Sequence, residues 1–376
     1  MSLLLLIMGL IMFVGLVVVH EYGHFIAARR NGIEVEEFGV GFPPRAKVIT
    51  RKKGTTYTLN WLPLGGFVKL KGEHDADTAK GSFGAASLGA KVKVMVAGVG
   101  MNLITAFAIF TLLALIGMPK LLDNQFTVKS DTKITRQEVL IGYVEPDSPA
   151  QKAGLATTSQ IVSIGQPGQS PVLITSQDQL PTVTKEFAGQ TVDVTVKKAG
   201  VTEVKQVSLR SQQQVDDSKK TNEPKGYMGI SPTEYIVQRS TWSAPIVAGG
   251  LVGQLSTATL KGLGGAVGNL VTGHVKEATS QVSGPVGVFV IFKDGSFLGI
   301  QYILLIVAVI SLTLAIMNIL PIPALDGGRL FLILFYRLIR KPLTAEREEL
   351  INGVGMVCLL ILIALITFVD FKRFIF

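Results

Sequence analysis

The chain carries a single cysteine, Cys358, among its 376 residues. One thiol excludes any intrachain disulfide, so each folded part must hold together through its own core. Cys358 itself lies in an apolar stretch, where a small side chain is buried or faces lipid. Charge is scarce as well: charged residues make up 17% of the chain against 48% hydrophobic ones. That balance excludes an ordinary soluble globule and fits a polytopic membrane protein with a water-exposed portion. No basic block accounts for the net charge of +9, because Lys and Arg are spread along the chain. Nucleic acid is therefore not an expected partner. The amino terminus has neither the basic region nor the small-residue cleavage site of a signal peptide, since only Met1 and Ser2 precede the apolar run at 3–19. The expectation is a retained first span.

Long apolar runs are what the chain does have. Residues 3–28, 92–117, 301–320 and 353–369 are each long enough to cross a bilayer, which takes roughly 20 residues per helix. The first loop holds Arg29, Arg30, Arg45, Lys47, Arg51, Lys52, Lys53, Lys69 and Lys71, and the third holds Arg329, Arg337, Arg340, Lys341 and Arg347. Positive-inside reasoning makes both loops cytoplasmic and both termini external, with Lys372 and Arg373 running against it. In the first loop, 46–50 and 56–60 flank Arg51-Lys52-Lys53-Gly54 and predict a hairpin. The apolar stretch 62–68, interrupted by Pro63, Gly65 and Gly66, predicts a segment dipping back into the membrane under the cover of protein. The long second loop predicts strands at 139–144, 161–164, 191–196 and 204–209, and a short helix at 150–153 stopped by Gly154. Residues 211–225 read as an exposed loop, and 242–273 as one or two amphipathic helices on the outer membrane surface.

His20-Glu21-Tyr22-Gly23-His24 closes the first apolar run. H-E-x-x-H is a zinc-hydrolase signature with a mechanical basis. Positions four apart share a helix face, so His20 and His24 can grip one ion, while Glu21 is placed to take a proton from water. Ionisable groups at bilayer depth are costly and usually functional. A catalytic zinc takes three protein ligands and an open position. The other two histidines, His74 and His274, sit in polar surroundings and read as solvated loop residues. Asp326 is the better third ligand. It follows span three in Asn318-Ile-Leu-Pro-Ile-Pro-Ala-Leu-Asp326-Gly-Gly328, and spans one and three run in the same direction. His20 and Asp326 thus reach similar depth, and Pro321 and Pro323 break the helix so that the chain can fold inward.

With these residues, the chain resembles the bacterial site-2 proteases, the RseP-type zinc intramembrane metalloproteases of peptidase family M50. HEYGH and the Asn-x-x-Pro-x-Pro-x-Leu-Asp-Gly-Gly segment carry the resemblance. Pro63-Leu-Gly-Gly-Phe-Val-Lys69 is similar to the family's membrane-associated β-loop, and Ser283-Gly-Pro-Val-Gly287 to another family segment. Ser148-Pro-Ala-Gln-Lys-Ala-Gly-Leu155 resembles part of a single PDZ domain. Gly98-Val-Gly-Met-Asn102 lacks the proline common in the family's Gly-Pro-x-x-Asn, a change expected to act on local helix geometry without touching zinc. Thr158-Ser159 stands where a PDZ domain usually has Gly-Asp, which leaves peptide binding or pure gatekeeping open.

The resemblance implies a polytopic α-helical membrane protein of four transmembrane helices, with a cytoplasmic-side membrane-associated β-loop and an extracytoplasmic α+β PDZ-like domain. The parts are 1–28 (span one), 29–91 (loop and hairpin), 92–117 (span two), 126–230 (PDZ-like), 231–300 (interfacial connector), 301–328 (span three with Asp326) and 353–370 (span four). It implies Zn2+ held by His20, His24 and Asp326, with Glu21 as general base. Asn318 and the loop residues Gly65, Gly66 and Phe67 would contact substrate. The activity implied is cleavage of single-pass membrane proteins, such as anti-sigma factors or signal-peptide remnants, inside the bacterial plasma membrane. Nothing in the residues sets an oligomeric state or names a substrate. One rival is a catalytically silent zinc-binding scaffold with a PDZ-like protein-binding domain, against which Glu21 speaks, since it is not needed as a ligand. Another is a metal transporter, which would want more polar residues across the spans than Asn102, Thr105, Thr111 and Thr367.

Overall fold

The computed structural model describes residues 2–221, 223–274, 277 and 284–374. The chain forms two compact units, one of residues 6–112, 245–292 and 303–376, the other of residues 1–5, 113–244 and 293–302. Among the described residues, four helices are long and apolar enough to cross a membrane, Leu3–Arg30, Leu88–Ile116, Ile300–Ile319 and Ala345–Arg373, with mean hydropathies from 2.2 to 2.8. They coincide with the four expected spans and, with the sheets, make a polytopic membrane protein. Helix α1 (Ser2–Arg30) runs past its apolar run into Arg29 and Arg30, and the last helix begins eight residues before its own, with Glu346 and Glu348 in its first turn. Both additions carry the sign that a helix end favours.

In the first unit, α1 lies directly against α2 (Leu88–Ile116). A Cβ at Gly23 would sit 2.5 Å from the Ala97 carbonyl oxygen, so glycine is what permits this approach. Strands β1 (Val35–Lys52) and β2 (Thr55–Leu70) turn through Lys53 and Gly54, both with positive φ. The expected hairpin is present, with Lys47 opposite Leu59 and Thr50 opposite Tyr57. The stretch 62–68, expected to dip into the membrane and similar to a β-loop, is strand. Residues 66–70 fold back onto the other side of β1, with Val40 opposite Gly66 and Phe38 opposite Val68. The strand survives Pro63 and two glycines because it changes register there and its outer side is unpaired among the described residues. Phe25, Phe38 and Tyr57, with ring centroids 5.6 to 6.1 Å apart, root this ribbon on α1.

The second unit carries β3 (Met118–Pro119), β4 (Lys133–Val144), β5 (Gln160–Gly165), β6 (Val172–Leu173), β7 (Thr191–Lys198), β8 (Val201–Ser208) and β9 (Ile230–Arg239). The order is β3-β9-β4-β5-β7-β8, with β6 on β5. Val139, Ile141, Ile161, Ile164, Val192, Val194 and Val207 are fully buried and form its core. All four predicted strands are there. Helix α3 (Pro149–Lys152) is capped by Ser148 and followed by Gly154 with φ 73, as the turn chemistry predicts. Helix α4 (Gln179–Glu186) and strand β9 were not expected. Residues 211–225 are not simply a loop: α5 (Gln212–Ser218) forms there, because Ser211 and Gln214 make a reciprocal capping box and Val215 finds a buried place.

Within the expected connector at 231–300, residues 231–239 belong to β9 of the sheet, and the stretch read as one or two helices holds one long helix, α6 (Ala244–Val271), whose buried residues Val247, Ala248, Leu251 and Leu255 recur at helical spacing in its first half. Of Ser283-Gly-Pro-Val-Gly287, Ser283 lies outside the described residues. The rest opens α7 (Pro285–Gly295), where the buried Asp370 carboxylate accepts the Gly284 and Gly287 N–H groups at 2.9 and 2.8 Å. Helix α8 (Ile300–Ile319) is followed by α9 (Asp326–Leu338) and α10 (Ala345–Phe374).

Candidate metal centre

One turn of α1 separates His20 from His24, and both are buried in the first unit. Their Nε2 atoms lie 3.1 Å apart. The Asp326 Oδ2 atom is 2.9 Å from His20 Nε2 and 3.1 Å from His24 Nε2. Zinc bonded at 2.0–2.2 Å in a tetrahedron would space its ligand atoms by about 3.4 Å. The triangle found here is a few tenths of an ångström tighter, and its donor set of two imidazoles and a carboxylate is one that catalytic zinc sites use. It is the one such group of histidine and acidic residues among the described residues.

Asp326 arrives by the route expected. Helix α8 stops at Ile319, the chain turns through Pro321 and Pro323, and Ala324 takes a φ of 73. Asp326 then opens α9. Gly327 and Gly328 let the chain double back this tightly, because a side chain on either would strike the carbonyls of Ile319 or Ile322.

The wall formed by α2 was not expected. The Gly98-Val-Gly-Met-Asn102 segment, whose missing proline is expected to act on helix geometry without touching zinc, lies against both imidazoles. A Cβ at Gly98 would come within 2.5 Å of His24 Nε2 and 2.6 Å of His20 Nε2. One turn earlier, the Val94 carbonyl accepts His24 Nδ1–H at 2.8 Å, which leaves Nε2 with the lone pair a metal needs. One turn later, the Asn102 amide is 3.3 Å from His20 Nδ1. A spacing of four from Val94 to Gly98 to Asn102 was the available signal.

Glu21 is half-buried, lies in the field of His24, His20 and Asp326, and faces the Val68 backbone N–H of β2. Gly66 is also beside it, since a Cβ there would sit 3.6 Å from Glu21 Cγ. Gly65 is buried with φ 92 over the Phe42 ring, and Phe67 is half-buried against Gly39. Asn318 is half-buried in the last turn of α8. Thus β2 brings Gly66 to the Glu21 carboxylate.

The remaining histidines divide. His274 is exposed and contacts Thr272 Oγ1 at 3.0 Å. His74 is more than a solvated loop residue: its Nε2 is 3.2 Å from Glu349 Oε1, and it lines a cavity of about 400 Å³ shared with Asp326, Glu73, Arg329, Glu348 and Asn352. Behind it, Glu348 is buried and held by Arg329 Nε at 3.0 Å and the Asp75 N–H at 2.9 Å, while Asp75 pairs with the buried Lys91.

Comparison with known proteins agrees with this chemistry. The model of the family Peptidase family M50 matches residues 8–362. A protein named as a zinc metalloprotease in Clostridium perfringens (strain 13) is 33% identical over 372 residues, covering 97% of this chain and 98% of its own. Another zinc metalloprotease, from Campylobacter jejuni, is 30% identical over 96% of this chain and 91% of its own. The regulator of sigma-E protease RseP of Salmonella typhimurium is 26% identical over 451 residues, covering 95% of this chain and 96% of its own. A family match over nearly the whole length, with relatives named for zinc proteolysis, establishes that the chain belongs to peptidase family M50 and is a bacterial membrane zinc metalloprotease of the site-2 type.

Proposed function

We propose that this protease cuts single-pass membrane proteins within their transmembrane segments, using His20, His24 and Asp326 to hold zinc and Glu21 as general base. The observation that carries the reading is the donor triangle built between two membrane-length stretches of chain, with an unliganded carboxylate, Glu21, next to it. When bound, zinc supplies Lewis acidity toward a peptide carbonyl and a water. Glu21 takes the proton of the attacking water and delivers it to the leaving amine. The Val68 backbone N–H beside that carboxylate would help to aim it.

A helical substrate must lose its internal hydrogen bonds before its carbonyl can be attacked. The free edge at 66–70 supports a way to stabilise it: the unwound segment adds as a strand beside Gly66 and Phe67, and its backbone pairs there instead of lying bare in lipid. Asn318, at the end of α8, is the side-chain amide proposed to take one more substrate carbonyl. The basic first and third loops favour a centre on the cytoplasmic side, reached by water through the polar cavity beside Asp326. The sheet unit between spans two and three then lies outside and acts as a PDZ-like filter on substrates with large outer domains. Its groove of about 390 Å³ between α4 and the start of β9, lined by Leu180, Thr184, Tyr227 and Met228, is where a peptide would enter.

The test is Glu21→Gln. The variant should bind one zinc like wild type and cleave a panel of single-span peptides at least a hundredfold more slowly. Chelation should abolish wild-type cleavage, and zinc should restore it. Equal cleavage by both proteins sinks the reading.

A further inference from the structure

We propose that Asn102 of span two sets the tautomer and orientation of His20 through its amide oxygen, which makes it a positioning residue for the metal. The inference rests on His20 being a zinc ligand. His20 Nε2 faces Asp326 Oδ2 at 2.9 Å and His24 Nε2 at 3.1 Å. It is therefore the nitrogen that must offer a lone pair. A neutral imidazole then carries its proton on Nδ1, and a buried N–H needs an acceptor.

Asn102 is fully buried with its amide 3.3 Å from that Nδ1, and its Oδ1 has no hydrogen-bond partner. The oxygen and nitrogen of an amide are nearly the same in shape, so their placement follows from their partners. With the nitrogen toward His20, the ring would have to carry its proton on Nε2, between the other two ligand atoms, and the amide oxygen would stay buried and unpaired. Turning the amide gives Oδ1 a donor and His20 Nδ1–H an acceptor in one movement.

His24 already has the equivalent arrangement, with Nδ1–H donated to the Val94 carbonyl at 2.8 Å. Both imidazoles are thus oriented from α2, one by a backbone oxygen and one by a side-chain oxygen two turns further on. Asn102 is itself fixed: its backbone carbonyl accepts the buried Ser311 hydroxyl of α8 at 2.8 Å. An outer partner that fixes a ligand histidine typically accounts for about ten- to a hundredfold in metal affinity.

The experiment measures zinc Kd by chelator competition on the purified full chain for wild type, Asn102→Leu, Asn102→Asp and His20→Ala. Asn102→Leu removes the acceptor and should weaken zinc about ten- to a hundredfold. Asn102→Asp keeps an acceptor oxygen and should stay within about threefold of wild type. With four histidines in the chain, 15N-histidine NMR of the zinc-loaded wild type should show His20 protonated at Nδ1. This readout decides the matter should Asn102→Leu fail to fold. Wild-type affinity in Asn102→Leu, equal weakening in both Asn102 variants, or an unprotonated Nδ1 would each overturn the role of Asn102. Wild-type affinity in His20→Ala would instead overturn the ligand assignment beneath it.

Discussion

Replacing Gly98 by alanine adds one methyl group to the face of α2 that touches the donor triangle. That methyl would sit 2.5 Å from His24 Nε2, 2.6 Å from His20 Nε2 and 2.7 Å from His20 Cε1. Ordinary contact begins at 3.4 Å, so the overlap with each ring nitrogen is roughly 0.8–0.9 Å. Neither ring has free space, because His24 is tied to Val94 on the same helix and both are buried. Relief requires α1 and α2 to part or the imidazoles to swing. Metal–ligand distances tolerate only about 0.2 Å, so a displacement several times larger breaks the ligand set. Overpacking of this size also costs about 1–3 kcal/mol of fold stability. The expected outcome is a folded protein with a slightly lowered thermal midpoint, zinc affinity reduced at least a hundredfold and cleavage reduced in parallel. Metal analysis after dialysis against a chelator, beside a thermal scan, measures both. A Gly98→Ala protein that keeps stoichiometric zinc and wild-type turnover would refute the packing argument.

Three further outcomes follow from the structure. Glu348→Leu removes the carboxylate that pairs with Arg329 and accepts the Asp75 N–H, leaving the guanidinium only the Glu73 carbonyl and the Phe83 ring, and should cost about 3–5 kcal/mol in denaturant unfolding; adding Arg329→Met should recover part of it. Asp131 accepts from the Ser243 hydroxyl at 2.6 Å and from Thr241, and these bonds hold its pKa well below the usual carboxylate range. Its stabilisation is then complete above about pH 4 and fades as pH falls through the folded value; melts of wild type between pH 5 and pH 3 should fall more steeply than those of Asp131→Asn. Pro119 and Val237 are antiparallel partners, so residues 120–236 can be replaced by an Asn-Gly turn. This protein should still bind zinc and cleave short peptides while accepting substrates with bulky outer domains; unchanged selectivity would remove the filter from the account.

Much of the membrane part was legible because bilayer solvent imposes a simple rule, a run of some 20 apolar residues, and because imidazoles in such a run are hard to explain otherwise. The meeting of His20 with Asp326 followed from counting crossings. What escaped was set by packing. For the ribbon through Gly65 and Gly66 the β-loop resemblance gave the strand, but its return to the far side of β1, with Gly66 opposite Val40, is set by tertiary pairing that local glycine and proline do not announce. Helix α5 was hidden in a polar stretch without apolar period; only Ser211 and Gln214 marked its start. The part that α2 plays was missed because a glycine shows nothing of its neighbours in a sequence, and Gly98 matters only through what stands opposite it.

The donor triangle joins residues 306 positions apart in the chain. The first helix is made with His20, Glu21 and His24 in place, while the Asp326 carboxylate that completes the group is still unmade. A chain cut short before residue 326 therefore holds two of the three donors and lacks the carboxylate of the proposed centre. On the proposed ligand set, the order of translation postpones a complete centre until residue 326 has been made and folded against α1.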